Sequence, residues 1–401
     1  MANPRDRLED RALCDLFLLD RDVVYLNHGS FGACPRPVFE AYQAWQLELE
    51  RQPMAYMRSL GGELRAARRA LGAYVGAAAD NLVYVPNVTM GLNIVARALD
   101  LQPGDEVLGT DHEYGAIERA WQYVCARQGA RYVRQHVPLP IRSVEQVVEA
   151  IWSGVNERTR VLCFSHITSP TAFILPAAEL VRRARQAGIW TVIDGAHAPG
   201  QIPLDLDALG ADFYSGNCHK WMMTPKGSGF LYARPEVQPL LDPLVVGWGW
   251  GNEKPQVTSF VDRHQNQGTR DMAAFLAVPA AIRFMEAHDW PAVRAACHQL
   301  VRDARRRFGA LGGPEPATPD DPRWFSQMAS LPLPLCDTGE LCRRLRDEFK
   351  IEVPIVRWAG ANGDTPRAFA RLSIQGYNTG ADVDCLVGAL ETLLPEVVEV
   401  Q

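Results

Sequence analysis

Two short motifs carry side chains that could do chemistry together. Asp194 lies in Asp194-Gly195-Ala196-His197-Ala198-Pro199-Gly200, and Lys220, 26 positions later, lies in Gly216-Asn217-Cys218-His219-Lys220-Trp221. A lysine amine attacks a carbonyl carbon only after losing its proton, which a desolvated pocket promotes. A buried carboxylate close by could hold a proton on a ring nitrogen. A third segment, Asn87-Val88-Thr89-Met90-Gly91, opens a helical pattern in which Leu92, Val95 and Leu99 share the apolar face. Free N–H groups and a hydroxyl at a helix start make an anion site. Read alone, the same turn is an ordinary helix cap.

The elements that must position these residues alternate along the chain. Strand candidates are Leu82–Val85, Glu106–Gly109, Arg131–Arg134, Arg160–Phe164, Trp190–Ile193, Phe213–Ser215 and Gly229–Tyr232. Helical patterns fall between them. Val144, Val147, Val148, Ile151, Trp152 and Val155 form one stripe, with Ser143 and Gln146 as a capping box, and Ile117, Trp121 and Val124 form another. This alternation predicts a mainly parallel sheet covered on both faces. In such sheets ligands collect beyond the carboxyl ends of the strands. Polar residues crowd those ends: Thr110 through Tyr114, then Ser165, His166, Thr168 and Ser169, then the two motifs above.

Past Ala273 the pattern changes. A long helical region reaches about Leu311, and an apolar run covers Met328–Leu333. A helix capped by Asp337 and Glu340 runs to Lys350, followed by β-rich stretches at Ile351–Trp358 and Ala368–Ile374 and a final helix after a Thr379–Asp382 box. These predict a smaller α+β domain, completed by an N-terminal helix near Arg11–Leu19.

Amine, carboxylate and anion site together are what pyridoxal 5'-phosphate (PLP) demands. The aldehyde forms an imine with the lysine, the carboxylate faces the pyridinium nitrogen, and the phosphate needs donors. On these motifs the chain resembles the class V aminotransferase-like family of fold-type I PLP-dependent enzymes, with isopenicillin N epimerase-like proteins nearest. The likeness extends from Tyr25-Leu26-Asn27-His28-Gly29-Ser30-Phe31-Gly32 to Arg371-Leu372-Ser373 and Tyr377-Asn378-Thr379. It implies an α/β fold with a mainly parallel seven-stranded sheet in a large domain, residues 21–272. A smaller α+β domain, 273–401, and a segment, 1–20, that packs with it complete the expected organisation.

The resemblance also implies roles. Lys220 is the Schiff-base residue and Asp194 the pyridinium partner, His197 bonds the cofactor's ring oxygen, and His112 stacks on the ring. Val88, Thr89, Asn217 and His219 hold the phosphate, Asn217 standing where many relatives carry Ser, and Thr168 is a further cofactor contact. Thr269, within Gln267-Gly268-Thr269-Arg270, matches a segment that reaches a neighbouring subunit's phosphate, which implies a homodimer with shared sites. Arg371 matches the arginine that takes the carboxylate of an amino-acid substrate, a task its two-pronged guanidinium suits. Blander readings stand beside these. His112 could be a satisfied core histidine, with Tyr114 stacking in its place. Asn27, His28 and Arg58 could line the substrate mouth or order the N-terminal segment. His166 and Cys218 read as structural, and Trp248-Gly249-Trp250 could wall the site or seal a dimer.

The reaction implied is epimerase-like, with proton removal and return at the α-carbon. A desulfurase needs a nucleophilic cysteine on a mobile loop; Cys342 falls in the helical run LCRRLRDEF and Cys336 just before its cap, so that chemistry is disfavoured. A C–S lyase and a class V aminotransferase stay open. A net charge of -6 argues against nucleic-acid or anionic-membrane partners. The Arg302–Arg307 stretch, broken by Asp303, reads as a solvated helix face. No run approaches a membrane span, and the start lacks a signal-peptide pattern. Nine scattered cysteines without a C-x-x-C pair suit reduced thiols in a cytoplasm, and the nine histidines show no metal-ligand spacing.

Overall fold

The computed structural model describes residues 13–398 except 254, 256 and 364. Residues 11 and 12 of the expected N-terminal helix, like most of the 1–20 segment, fall outside this range. Strand β1 is Val24–Tyr25, and the seven strands that follow are Leu82–Val85 (β2), Glu106–Thr110 (β3), Arg131–Gln135 (β4), Thr159–Ser165 (β5), Trp190–Gly195 (β6), Phe213–Asn217 (β7) and Gly229–Ala233 (β8). They form one sheet in the order β2-β8-β7-β6-β5-β3-β4. From β7 through β4 the neighbours are parallel, whereas β8 runs antiparallel to both β7 and β2. The mainly parallel sheet expected from the alternation is therefore present, with the seven strands and α/β architecture that the resemblance implies.

The antiparallel step has a local cause. Only residues 218–228 join β7 to β8, too few for the crossover that a parallel pair requires. That short connection carries His219 and Lys220. The helices between the parallel strands bury one stripe each on the sheet; Ile117, Trp121 and Val124 do so from Gly115–Gln128, and Val147, Val148 and Ile151 from Val144–Trp152. Ser143 caps the latter by accepting from Gln146 N–H, but the Gln146 side chain turns to Arg142 N–H instead of closing the box. Strands β2, β7 and β8 are buried along their whole length, and each large apolar side chain there contributes about 1.5–3 kcal/mol.

A second, three-stranded antiparallel sheet has the order β11-β12-β9, where β9 is Met328–Leu333, β11 Ile355–Trp358 and β12 Arg367–Ser373. The short strand β10, Ile351–Glu352, pairs in parallel with β1. In the Arg302–Arg307 stretch Arg302, Arg306 and Arg307 pair with Asp320, Asp303 and Asp384, while Arg305 donates to Thr318 O.

The N-terminal segment docks beneath the Lys220 connection. His28 is fully buried, with Nε2 3.1 Å from the Lys220 carbonyl oxygen and Nδ1 3.1 Å from the Tyr377 hydroxyl. Asn378 Nδ2 donates to Tyr25 O at 3.0 Å. The distant motifs around Tyr25 and Tyr377 thus meet at the base of the Lys220 turn. Gly32 holds φ +71°, and a Cβ there would run into the carbonyl oxygen of His219. Gly32→Ala should lower stability by about 1–3 kcal/mol in a denaturant melt. Gly62→Ala, in the helix Pro53–Val75 with open space around it, should raise stability by about 0.5–1 kcal/mol.

Candidate active site

Strand order reverses between β3 and β5: the chain moves outward from β3 to β4, then in the other direction through β5, β6 and β7. Such a switch point opens a crevice beyond the strand ends. A cavity of about 320 Å³ lies there, lined from the large sheet by Val88, Thr89, Tyr114, Asp194, His197, Asn217, His219 and Lys220, and from β12 by Arg371. This volume lies in the range of small-molecule sites.

Lys220 Nζ is 3.2 Å from His197 Nε2. Burial, with Arg371 adding to it, brings the amine down to about 8 against the pull of Asp194. The imidazole's protonation pattern follows from its other nitrogen. Trp221 Nε1–H donates to His197 Nδ1 at 3.3 Å, and burial beside Lys220 and Arg371 holds the ring well below the ordinary histidine range. His197 is therefore neutral with its proton on Nε2, a donor aimed at the Lys220 side of the cavity. Asp194 is 3% exposed; burial raises it, while Ala196 N–H at 2.8 Å and Lys220 oppose that rise.

The anion end is built by close packing. A Cβ on Gly91 would strike Ser215 Oγ, so the helix Val88–Ala98 lies tight over β7. Its cap, Asn87, accepts from Met90 N–H at 2.9 Å, and Val88 N–H donates to Asn217 Oδ1 at 3.0 Å. With the Asn217 oxygen so occupied, its amide N–H groups remain as donors for an anion, where a serine would offer one hydroxyl. His219 Nδ1–H donates to Ser228 O at 2.8 Å, and burial brings the ring to about 4. Its Nε2 would take a proton to hold a phosphate, which the phosphate's charge would favour.

Arg371, 7% exposed, donates from Nη1 to Ser169 O at 2.9 Å and to Ser169 Oγ at 3.1 Å, and from Nη2 to Ser30 Oγ at 2.7 Å; its Nε has no partner. No carboxylate pairs with it among these contacts, and a cation buried in that way calls for an anionic ligand. Asn27 does not line the cavity. Its Oδ1 accepts from Ser30 Oγ at 2.5 Å, so it bears on Arg371 through Ser30.

Three further expectations sit elsewhere. His112 is excluded from the cavity: it stacks on Trp358 with centroids 4.5 Å apart, and its Nδ1 and Nε2 meet Thr171 Oγ1 and Val137 O at 2.9 and 2.8 Å. The satisfied-core reading describes it, and Tyr114 presents the aromatic ring to the cavity. The physical reason is Trp358, which comes from the small sheet and also donates Nε1–H to Asp111 O at 3.0 Å. Thr168 is spent within its own turn, its hydroxyl 2.8 Å from Thr171 Oγ1 and accepting Phe173 N–H at 3.0 Å; Ile167 and Ser169 line the cavity instead. Thr269 is exposed and lies outside this chain's cavity. Ser30, Tyr114, Ser165 and Ser169 are lining residues that sequence reasoning gave no cofactor or substrate role, or only a substitute one. Among the described residues no three His, Cys, Asp or Glu side chains cluster as metal ligands, and no helix is long and apolar enough to cross a membrane.

Residues 24–386 match the family described as aminotransferase class-V, and the chain belongs to that family. It is 37% identical to the isopenicillin N epimerase of Amycolatopsis lactamdurans over 94% of this chain and 96% of that protein. It is 29% identical to the L-cysteine desulfhydrase of Arabidopsis thaliana over 94% and 89% of the two chains. A C-DES mutant with glycine covalently linked to its PLP cofactor superposes with a TM-score of 0.81, at 22% identity, over 96% of this chain and 98% of that one. The fold is accordingly that of the fold-type I PLP enzymes, and PLP is the cofactor. The residues lining the cavity suit it: Lys220 would meet the aldehyde, Asp194 the ring nitrogen, Val88, Thr89, Asn217 and His219 the phosphate, and Tyr114 a ring face. When bound, PLP supplies an electron sink for charge developing at the substrate's α-carbon.

Arg371→Lys removes the forked guanidinium but keeps the charge. It should raise KM for the amino acid about tenfold or more while PLP content stays at wild-type level. Steady-state kinetics with cofactor quantitation checks this, and an unchanged KM would remove Arg371 from substrate binding.

Proposed function

We propose that this enzyme epimerises an amino acid at its α-carbon, with Lys220 as one of the two acid–base groups that take the proton from one face and return one to the other. The observation that carries this reading is the cavity's inventory: a buried, partly neutral amine beside an arginine suited to a carboxylate, and no cysteine among the lining residues. Arg371 would fix the substrate carboxylate and so present the α-hydrogen to Lys220 Nζ. Asp194 would hold the proton on the ring nitrogen, and His197 Nε2–H would bond the ring oxygen. Cys336 is fully buried and Cys342 Sγ points to Val353 O at 3.8 Å, so neither offers a thiol to the substrate. The likeness to isopenicillin N epimerase over nearly the whole length of both chains supports the same reading. The likeness to a cysteine desulfhydrase supports a second, in which proton removal is followed by loss of a sulfur group from the β-carbon. That route needs no cysteine either.

The working unit in this proposal is a homodimer with shared sites. Val246, Trp248 and Trp250 are exposed, Trp248 at 93%. Their loop abuts the segment of Thr269, since a Cβ on Gly247 would strike Asn266 O. Arg270, next to Thr269, buries Nε and Nη2 without a partner. A second copy covering this face would bring Thr269 toward its neighbour's phosphate site.

Incubation of candidate amino acids in deuterated water separates the readings. Epimerisation gives deuterium at the α-carbon in both configurations and no keto acid. Pyruvate and a sulfur product from a sulfur-bearing substrate, with no racemised substrate recovered, would replace this reading with the lyase. Keto acid formed with conversion of the cofactor to its amine form would replace it with transamination.

A further inference from the structure

Glu113 is buried beside the cavity and takes no part in the roles above. Its Oε1 accepts from Thr110 Oγ1 at 2.6 Å, and its Oε2 is 2.6 Å from Ser165 Oγ. Thr110's oxygen already takes the backbone N–H of His112 at 3.2 Å, so its own proton goes to Glu113. Ser165 is the link to the site. It ends β5, lines the cavity, and stands in register with Asp194 on β6. Register partners on neighbouring strands share a face at a spacing of about 5 Å, so the two side chains enter the cavity side by side.

We propose that Glu113 is a positioning residue that acts through Ser165 on Asp194, and so on the charge facing the ring nitrogen of PLP. With the carboxyl neutral, its proton on Oε2 is donated to Ser165 Oγ, and the serine hydroxyl is free to donate into the cavity toward Asp194. With the carboxyl ionised, it takes the Ser165 proton itself, and the serine turns lone pairs toward the cavity while a second negative charge stands behind Asp194. Burial, with the nearby charge of Asp194 adding to it, pushes Glu113 up to about 7 against the bonds from Ser165 and Thr110. Both forms are therefore populated near neutral pH. The other titratable groups that face it, Tyr132 and Cys163, are driven upward by burial and stay neutral there, which leaves Asp194 as the neighbouring charge. The inference rests on the PLP site alone and holds for whichever reaction the enzyme performs.

The test reads the visible absorption of the PLP-loaded enzyme, without substrate, across the neutral range. The wild type should show a spectral step centred near the Glu113 transition at about 7. In Glu113→Gln, the side-chain amide donates to Ser165 at every pH, and the step should vanish. In Ser165→Ala the link itself is cut, and the step should vanish as well. Either variant decides the matter if the other fails to fold. A wild type without the step, or a step that persists in a folded, PLP-loaded variant, overturns the proposal. A wild-type protein with no visible absorption at all would instead count against the cofactor assignment.

Discussion

Taking the amine of Lys220 out of water is the constraint on which the rest of this structure depends. An ammonium loses much of its hydration when buried, and the proton affinity falls in response; here burial outweighs the stabilising pull of Asp194 and leaves the group at about 8. Near neutral pH a usable fraction is then the free amine, which is the form that attacks an aldehyde or accepts an α-proton. Burial at that depth has to be built from several directions. The short β7–β8 connection supplies the turn, His28 and Tyr377 hold its backbone from below, and Trp221 fixes the imidazole at the amine's side.

The same burial organises the charges around the cavity. Asp194 and Arg371 face Lys220 from different elements and pull it in opposite directions, one favouring and the other disfavouring the ammonium. Each is itself shifted by burial, Asp194 upward and Arg371 down to about 10. Unpaired charges of this kind are costly in a folded protein without a ligand. A ligand with a protonated ring nitrogen, a phosphate and a substrate carboxylate would answer that cost at the places where it arises. Arg371 comes from the smaller sheet and Ser30 from the N-terminal segment, so the carboxylate end of the site exists only when both are docked on the large sheet.

Much of this was legible in the sequence because central parallel strands read as apolar runs with polar residues at their ends. All seven strands of the large sheet overlap the strand candidates, although the edge strand β4 is the half-exposed run RYVRQ and not an apolar one. The differences lie mainly at the carboxyl ends, where β6 includes Asp194 and Gly195 and β7 includes Gly216 and Asn217. A polar strand end is indistinguishable from a loop in sequence, yet here it holds the functional side chains. Lys220, Asp194, His197, Asn217 and Arg371 are found at one cavity because each follows a strand or lies on one. His112 was misplaced for a different reason. Beyond the end of β3 the backbone leaves the strict alternation of a strand, and nothing local shows which of His112, Glu113 and Tyr114 turns inward. Trp358, far along the chain, decides it by stacking on His112. Glu113 was invisible for the same reason, since its partners Thr110 and Ser165 come from two strands whose register only the fold defines.

The claim that joins these observations is that Lys220, and no other lysine, carries the cofactor. Reducing the PLP-loaded protein with borohydride would fix the cofactor in place, and peptide mass mapping would locate it. A phosphopyridoxyl group on Lys220 is the expected result. Its appearance on another lysine, such as the neighbouring Lys226 whose Nζ donates to Gly32 O at 2.8 Å, or on none, would contradict the claim.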